Sequence, residues 1–169
     1  MWDFQGDSAV SQRNYPDGNF NRTSLMYSLW KTQGIHSPDW RKDLKIGAAQ
    51  AHDGESLLFL VHAEKEWNGI LKFDYPRHRT CFHMPLDYPR INQFPEWYTV
   101  EEGRTYKLGA IQNDGSCKWK EISGEELIRG SRIHLMGGDE KRYVLRPFDS
   151  YDQAEKDKPK RSTDINGYL

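Results

Sequence analysis

From residue 44 onward the chain reads as short apolar segments separated by turn residues, and no stretch between them has the length and period of a helical crossover. Candidate strands fall at residues 44–51, 56–63, 70–73, 80–84, 98–100, 105–111, 117–122, 131–136 and 142–146. Parallel strands need a connection of about a dozen residues or more, usually a helix, whereas antiparallel strands need only a tight turn. The pattern therefore predicts a mostly β fold: an antiparallel β-sandwich, or a barrel-like variant, of about eight strands.

Local signals refine this expectation. Asp53-Gly54 is a hairpin turn, because both residue types tolerate positive φ. Leu57-Leu58-Phe59-Leu60-Val61 is the most apolar run and reads as a central strand buried on both faces. Trp67-Asn68-Gly69 reads as a turn into Ile70, and Gly137-Gly138-Asp139-Glu140 as a hairpin loop joining the last two strands. Ser123 and Glu126 have capping-box spacing, which predicts a helical turn over 124–129. Cys117, Trp119 and Ile122 keep a strand period that breaks once.

One helix precedes the strands. Asn21 or Thr23 is placed to cap it, Leu25, Met26, Leu29 and Trp30 form an apolar stripe, and Gly34 supplies a stop. The chain then divides into an extension at 1–22, a helix plus β-sandwich at 23–147, and a charged tail at 148–169 that reads as disordered.

Composition narrows the class. Aliphatic supply is lean, with a mean hydropathy of -0.91, but 7 Phe, 6 Trp and 9 Tyr argue against wholesale disorder. No run approaches the ~20 apolar residues of a membrane span. Twenty-four basic against 25 acidic residues give no chain-wide case for nucleic acid or anionic lipid as partners. Cys81 and Cys117 are too few for a disulfide scaffold and read as two buried free thiols, with a single bridge between them as the alternative. The start, Met1-Trp2-Asp3-Phe4, does not resemble a signal peptide, which leaves a cytoplasmic protein or a piece of a longer one.

Residues 74–98 concentrate rings and cations. Asp74-Tyr75-Pro76-Arg77 recurs as Asp87-Tyr88-Pro89-Arg90, and Gln93-Phe94-Pro95-Glu96-Trp97-Tyr98 comes next. Each Asp could pair with its own Arg and pin a loop. Alternatively Arg77, Arg79 and Arg90 rim a groove and bind a carboxylate through guanidinium forks, with His78 among the ligand-binding residues, while Trp97 and Tyr98 stack on sugar rings. The same rings could instead serve as packing for a long loop.

Six histidines offer little metal chemistry. Cys81 and His83 share a face if they lie on a strand, but two ligands do not make a site, and no cofactor or metal is implied. A thiolate–imidazole pair would be poorly spaced there, because i and i+2 side chains on a strand stand about 6–7 Å apart. An enzymatic alternative assigns acid/base roles to His78, His83 and Glu96 on a small sugar or polar metabolite.

The segment from Tyr15-Pro16-Asp17-Gly18-Asn19 through Leu29-Trp30-Lys31-Thr32-Gln33-Gly34 resembles the last helix of the (α/α) toroid in bacterial polysaccharide-degrading enzymes. The stretch after Gly34, ending in Ser123-Gly124-Glu125-Glu126-Leu127 to Leu145, is similar to the β-sandwich that closes such chains. The resemblance spans about residues 15–147 and carries over no catalytic residue, since the toroid itself is outside this sequence. It implies a non-catalytic accessory domain that binds carbohydrate or helps a preceding catalytic domain to do so. The third reading is a structural or protein-interaction domain, for which a large exposed apolar patch would be the mark.

Overall fold

The computed structural model describes residues 18–39, 41–85 and 96–148, with side chains from residue 24 onward. Most of the expected extension, the expected tail from residue 149, and the second repeat copy with Arg90 and Phe94 lie outside the described residues. Among the described residues seven strands and three helices succeed one another: α1 (Gly18–Thr32), β1 (Leu44–Gln50), β2 (Leu57–Ala63), β3 (Trp67–Leu71), α2 (Arg77–Thr80), β4 (Thr105–Ile111), β5 (Cys117–Ser123), α3 (Gly124–Arg129), β6 (Ser131–Leu135) and β7 (Glu140–Pro147). Among the described residues, no helix is long and apolar enough to cross a membrane.

Five strands form one antiparallel sheet in the order β1-β2-β7-β4-β5, and β3 with β6 forms a second. The result is a sandwich-like pair of sheets, not a closed barrel. Leu57, Phe59 and Val61 of β2, Tyr143 and Leu145 of β7, and Tyr106 and Leu108 of β4 face inward from the large sheet. Trp67, Leu71, Ile133 and Leu135 complete the same buried cluster from the small one. Rings knit the layers together: Phe59 stacks on Tyr143 with centroids 4.9 Å apart and meets Phe73 edge-on at 5.5 Å.

Several expectations hold at the level of single turns. β1 and β2 pair across the Asp53-Gly54 turn. The Ser123 hydroxyl accepts from the Glu126 amide at 3.1 Å and starts α3. α1 ends in a turn in which Gly34 takes φ +82°, a conformation that a Cβ disfavours.

Others are corrected. β2 is buried on one face only: Leu57, Phe59, Val61 and Ala63 point inward while Leu58 and Leu60 are exposed. Among the described residues the sheet is covered on one side there, so the continuous apolar run serves two environments. Trp67-Asn68-Gly69 lies inside β3 rather than in a turn. Gly137-Gly138 does not close a hairpin, because β6 pairs with β3 whereas β7 pairs with β2 and β4; the loop carries the chain from one sheet to the other. Residues 80–84 form no strand, since Pro76 starts the short helix α2. Residues 98–100 contribute one isolated parallel bridge, Asp74 to Thr99. α1 begins at Gly18, so Asn21 and Thr23 lie within it, and its Leu25 and Trp30 are exposed instead of buried.

Candidate functional site

Residues 74–85 and 96–104 form a bracket at one end of the sandwich. Val100 donates to the Asp74 carbonyl at 2.9 Å, which ties the two segments together. Asp74 uses both carboxylate oxygens: one accepts from the Tyr75 amide at 2.9 Å and the other from Arg77 Nη2 at 2.8 Å. Glu96 accepts from the backbone amide of His78 at the start of α2. The His78 ring is 2% exposed and meets Phe82 edge-on, with centroids 5.5 Å apart.

Tyr98 is packed into the fold and Trp97 is half-buried, whereas Tyr75 and Phe82 of the same bracket are exposed. Tyr98 is 5% exposed and donates its hydroxyl proton to the Glu55 carbonyl at 2.9 Å. Burial pushes the Tyr98 hydroxyl well above the usual phenol range, and pushes Tyr106 up as well. The Tyr106 hydroxyl accepts from the Glu101 amide at 2.8 Å. Trp97 is half-buried beside a small recess of about 180 Å³ that Arg104 and Tyr106 also line.

Arg79 is exposed and pairs with Glu101 at 3.1 Å, at the rim of a cleft of about 410 Å³ that includes Tyr75 and Cys81. The Tyr75 hydroxyl lies 3.7 Å from Cys81 Sγ, and that contact raises the tyrosine above its ordinary range. Both cysteines are free thiols, but neither is buried: Cys81 is exposed and Cys117 half-buried. His83 takes φ +53°, so Cys81 and His83 do not lie on a strand. Among the described residues no group of three metal-ligating side chains converges.

Of the expected site residues, Glu96 meets the His78 amide and Arg77 meets Asp74, whereas Trp97 and Tyr98 line the separate recess with Arg104, Arg79 lines another cleft, and His83 is exposed. Arg77 directs its charge at Asp74, Glu96 caps α2, and the His78 imidazole is buried away from any substrate. Chemically this arrangement braces a loop.

A second surface lies elsewhere, and the sequence reading does not reach it. The outward face of the five-stranded sheet carries Leu58 at 45% and Leu60 at 37% exposure, Ile111 and Val144 half-buried, and Trp119 at 44% exposure. Register places them on one side: Leu58 faces Val144, Leu60 faces Arg142, Ile111 faces both Arg142 and Cys117, and Gly109 faces Trp119. A cleft of about 470 Å³ runs along it, lined by Lys31, Leu58, Leu60, Ile111 and Arg142. The Trp119 indole reaches across its neighbour strand onto Gly109, where a Cβ would come within 2.8 Å of the ring. The one missed beat in the Cys117–Ile122 pattern is the available signal: Cys117 and Trp119 face outward, Ile122 inward.

No protein-family model matches this chain, and a search of curated proteins returns no match.

Proposed function

We propose that this chain is a non-catalytic accessory β-sandwich domain that binds carbohydrate on the open face of its five-stranded sheet. The observation that carries this reading is the exposed Trp119 ring on the same outward face as the apolar cleft of Leu58, Leu60, Ile111 and Arg142. An indole plane matches the apolar face of a pyranose, and flanking polar groups meet its hydroxyls. The sequence resemblance of residues 15–147 to the last helix and closing β-sandwich of toroid polysaccharide-degrading enzymes supports the same class. The burial of the His78 ring and the capping role of Glu96 favour an accessory domain over the enzymatic alternative.

The exposed Leu25 and Trp30 of α1 are the side chains that would meet a preceding catalytic domain. Binding is tested on a panel of immobilised oligosaccharides with the wild type, Trp119→Ala and Trp97→Ala. Binding lost in Trp119→Ala and kept in Trp97→Ala supports the reading. Absence of any glycan binding, or binding indifferent to Trp119→Ala, overturns it.

A further inference from the structure

We infer that the open sheet face takes a neutral, equatorially linked glycan of about four rings, such as a β-1,4-glucan, laid across the strands. This rests on the reading that the face binds carbohydrate, and it adds the charge, linkage and length of the ligand. Register sorts the outward side chains into rows that cross the sheet. One row runs Gly47, Leu60, Arg142, Ile111 and Cys117 from β1 to β5. The next runs Ala49, Leu58, Val144, Gly109 and Trp119. Ionisable side chains gather in the rows on either side: Lys45, His62 and Glu140 in one, Arg146, Lys107 and Glu121 in the other. The two middle rows are an apolar strip bordered by charge.

Among the described residues the strip holds one charged side chain, Arg142, and its guanidinium is drawn toward the border. Its Nε and Nη2 both donate to Glu140, at 2.8 and 2.7 Å. The other cations are engaged as well. Lys45 meets Glu64 at 3.6 Å, Lys107 lies over the Phe148 ring at 5.0 Å, and Arg146 over Trp119 at 4.8 Å. Lys31, which reaches the cleft from α1, lies over Trp30 at 5.0 Å. An anion set on the strip would lose water against Leu58, Leu60 and Ile111, and its pairing would draw a cation out of one of these contacts. A neutral ring has neither cost.

The shape of the strip gives linkage and length. Five strands about 4.8 Å apart make it about 19 Å long, and rows two residues apart make it about 7 Å wide, close to the width of one pyranose. The cleft of about 470 Å³ runs from Gly47 to Ile111, and Trp119, 44% exposed, stands at the β5 end. A β-1,4 chain with equatorial substituents is a flat ribbon that advances by about one strand spacing per ring and turns axial C–H groups to its two faces. Such a face buries against aliphatic side chains and stacks on an indole. An α-1,4 chain coils away from a flat strip.

The test is titration calorimetry of the whole chain with cellobiose, cellotetraose and cellohexaose, with maltohexaose, and with a β-1,4-linked glucuronate hexamer. Affinity is expected to rise at least about tenfold from cellobiose to cellotetraose and then to level off. Cellohexaose should bind at least about tenfold tighter than maltohexaose or the glucuronate hexamer, and added salt should leave it unchanged. Ala49→Glu sets a charge on the exposed β1 end of the strip and should cost cellohexaose about tenfold, while cellobiose, seated at Trp119, is unaffected. Circular dichroism confirms that the variant is folded. A glucuronate hexamer that binds as tightly as cellohexaose would overturn the charge assignment, and maltohexaose that does so would overturn the linkage. Affinity that ignores chain length, or cellohexaose binding indifferent to Ala49→Glu, would overturn the placement across the strands. Each of these leaves the carbohydrate reading standing, whereas binding of no glycan would remove both.

Discussion

The guanidinium carbon of Arg146 lies 4.8 Å from the centre of the Trp119 ring, so a cation of β7 and an indole of β5 meet on the outer face across the intervening β4. Gly109 makes this approach possible. An ideal Cβ there would stand 2.8 Å from the indole and 3.0 Å from a Val144 methyl. Gly109→Ala is expected to push the indole off its seat, at about 1–3 kcal/mol of overpacking. Glycan affinity should fall with it, and paired melting and binding curves check both effects.

The loop bracket should behave as structure. Asp74→Asn removes the charge that Arg77 meets at 2.8 Å, with side chains only 14% and 29% exposed. A loss of about 1–2 kcal/mol is expected, between the value of an exposed ion pair and that of a charged hydrogen bond. Denaturant unfolding checks this, and glycan affinity should stay within error. A selective loss of binding would move the site back to residues 74–98.

Leu145 is fully buried where β7 crosses between β2 and β4. Leu145→Ala is expected to cost about 2–5 kcal/mol through lost transfer energy and a residual cavity. Leu60→Ala, on the opposite face of the neighbouring strand at 37% exposure, should cost far less and should weaken ligand binding instead. Urea unfolding of the two variants separates the faces.

Asp43 gives the fold an acid limit. Its hydrogen bond from Arg41 holds the carboxyl at about 2, and the Lys65 amide adds to the effect. A carboxyl whose folded pKa lies below its unfolded value, about 3.9, stabilises the fold fully above the unfolded value. That contribution is lost as pH falls from about 4 toward 2. Asp43→Asn should be less stable than wild type at neutral pH, and the difference should shrink across that window in pH-resolved melting.

The fold is largely legible in the sequence because turn chemistry and apolar alternation act over a few residues. Asp53-Gly54, the Ser123 cap and the strand at 105–111 all obey such local rules. Sheet membership is not legible in the same way. Gly137-Gly138 looks like a hairpin whether the next strand turns back or crosses to the other sheet, and only long-range pairing decides. The run Leu57–Val61 misleads for a related reason: its Leu58 and Leu60 match a buried strand in composition, while one face of the sheet is open.

At the candidate site, the cluster of rings and cations in 74–98 is visible in the sequence, but the burial of His78 and Tyr98 is not. Tyr98 and His78 are committed to the core by partners as distant as Glu55, and no spacing rule reports that. The sequence places Trp119 only in the once-broken period of Cys117 and Ile122, between Lys118 and Lys120, which does not mark it as a surface ring. Its significance comes from Gly109, Val144 and Arg146, which other strands bring to it.

Whether the ligand sits on the open sheet face is decided by amide chemical-shift mapping of the isotopically labelled chain during titration with cellohexaose. Shifts centred on Leu58, Leu60, Gly109, Trp119, Arg142 and Arg146 are expected. Shifts confined to residues 74–85 and 96–104, or no shifts at saturating ligand, would contradict a binding site on that face.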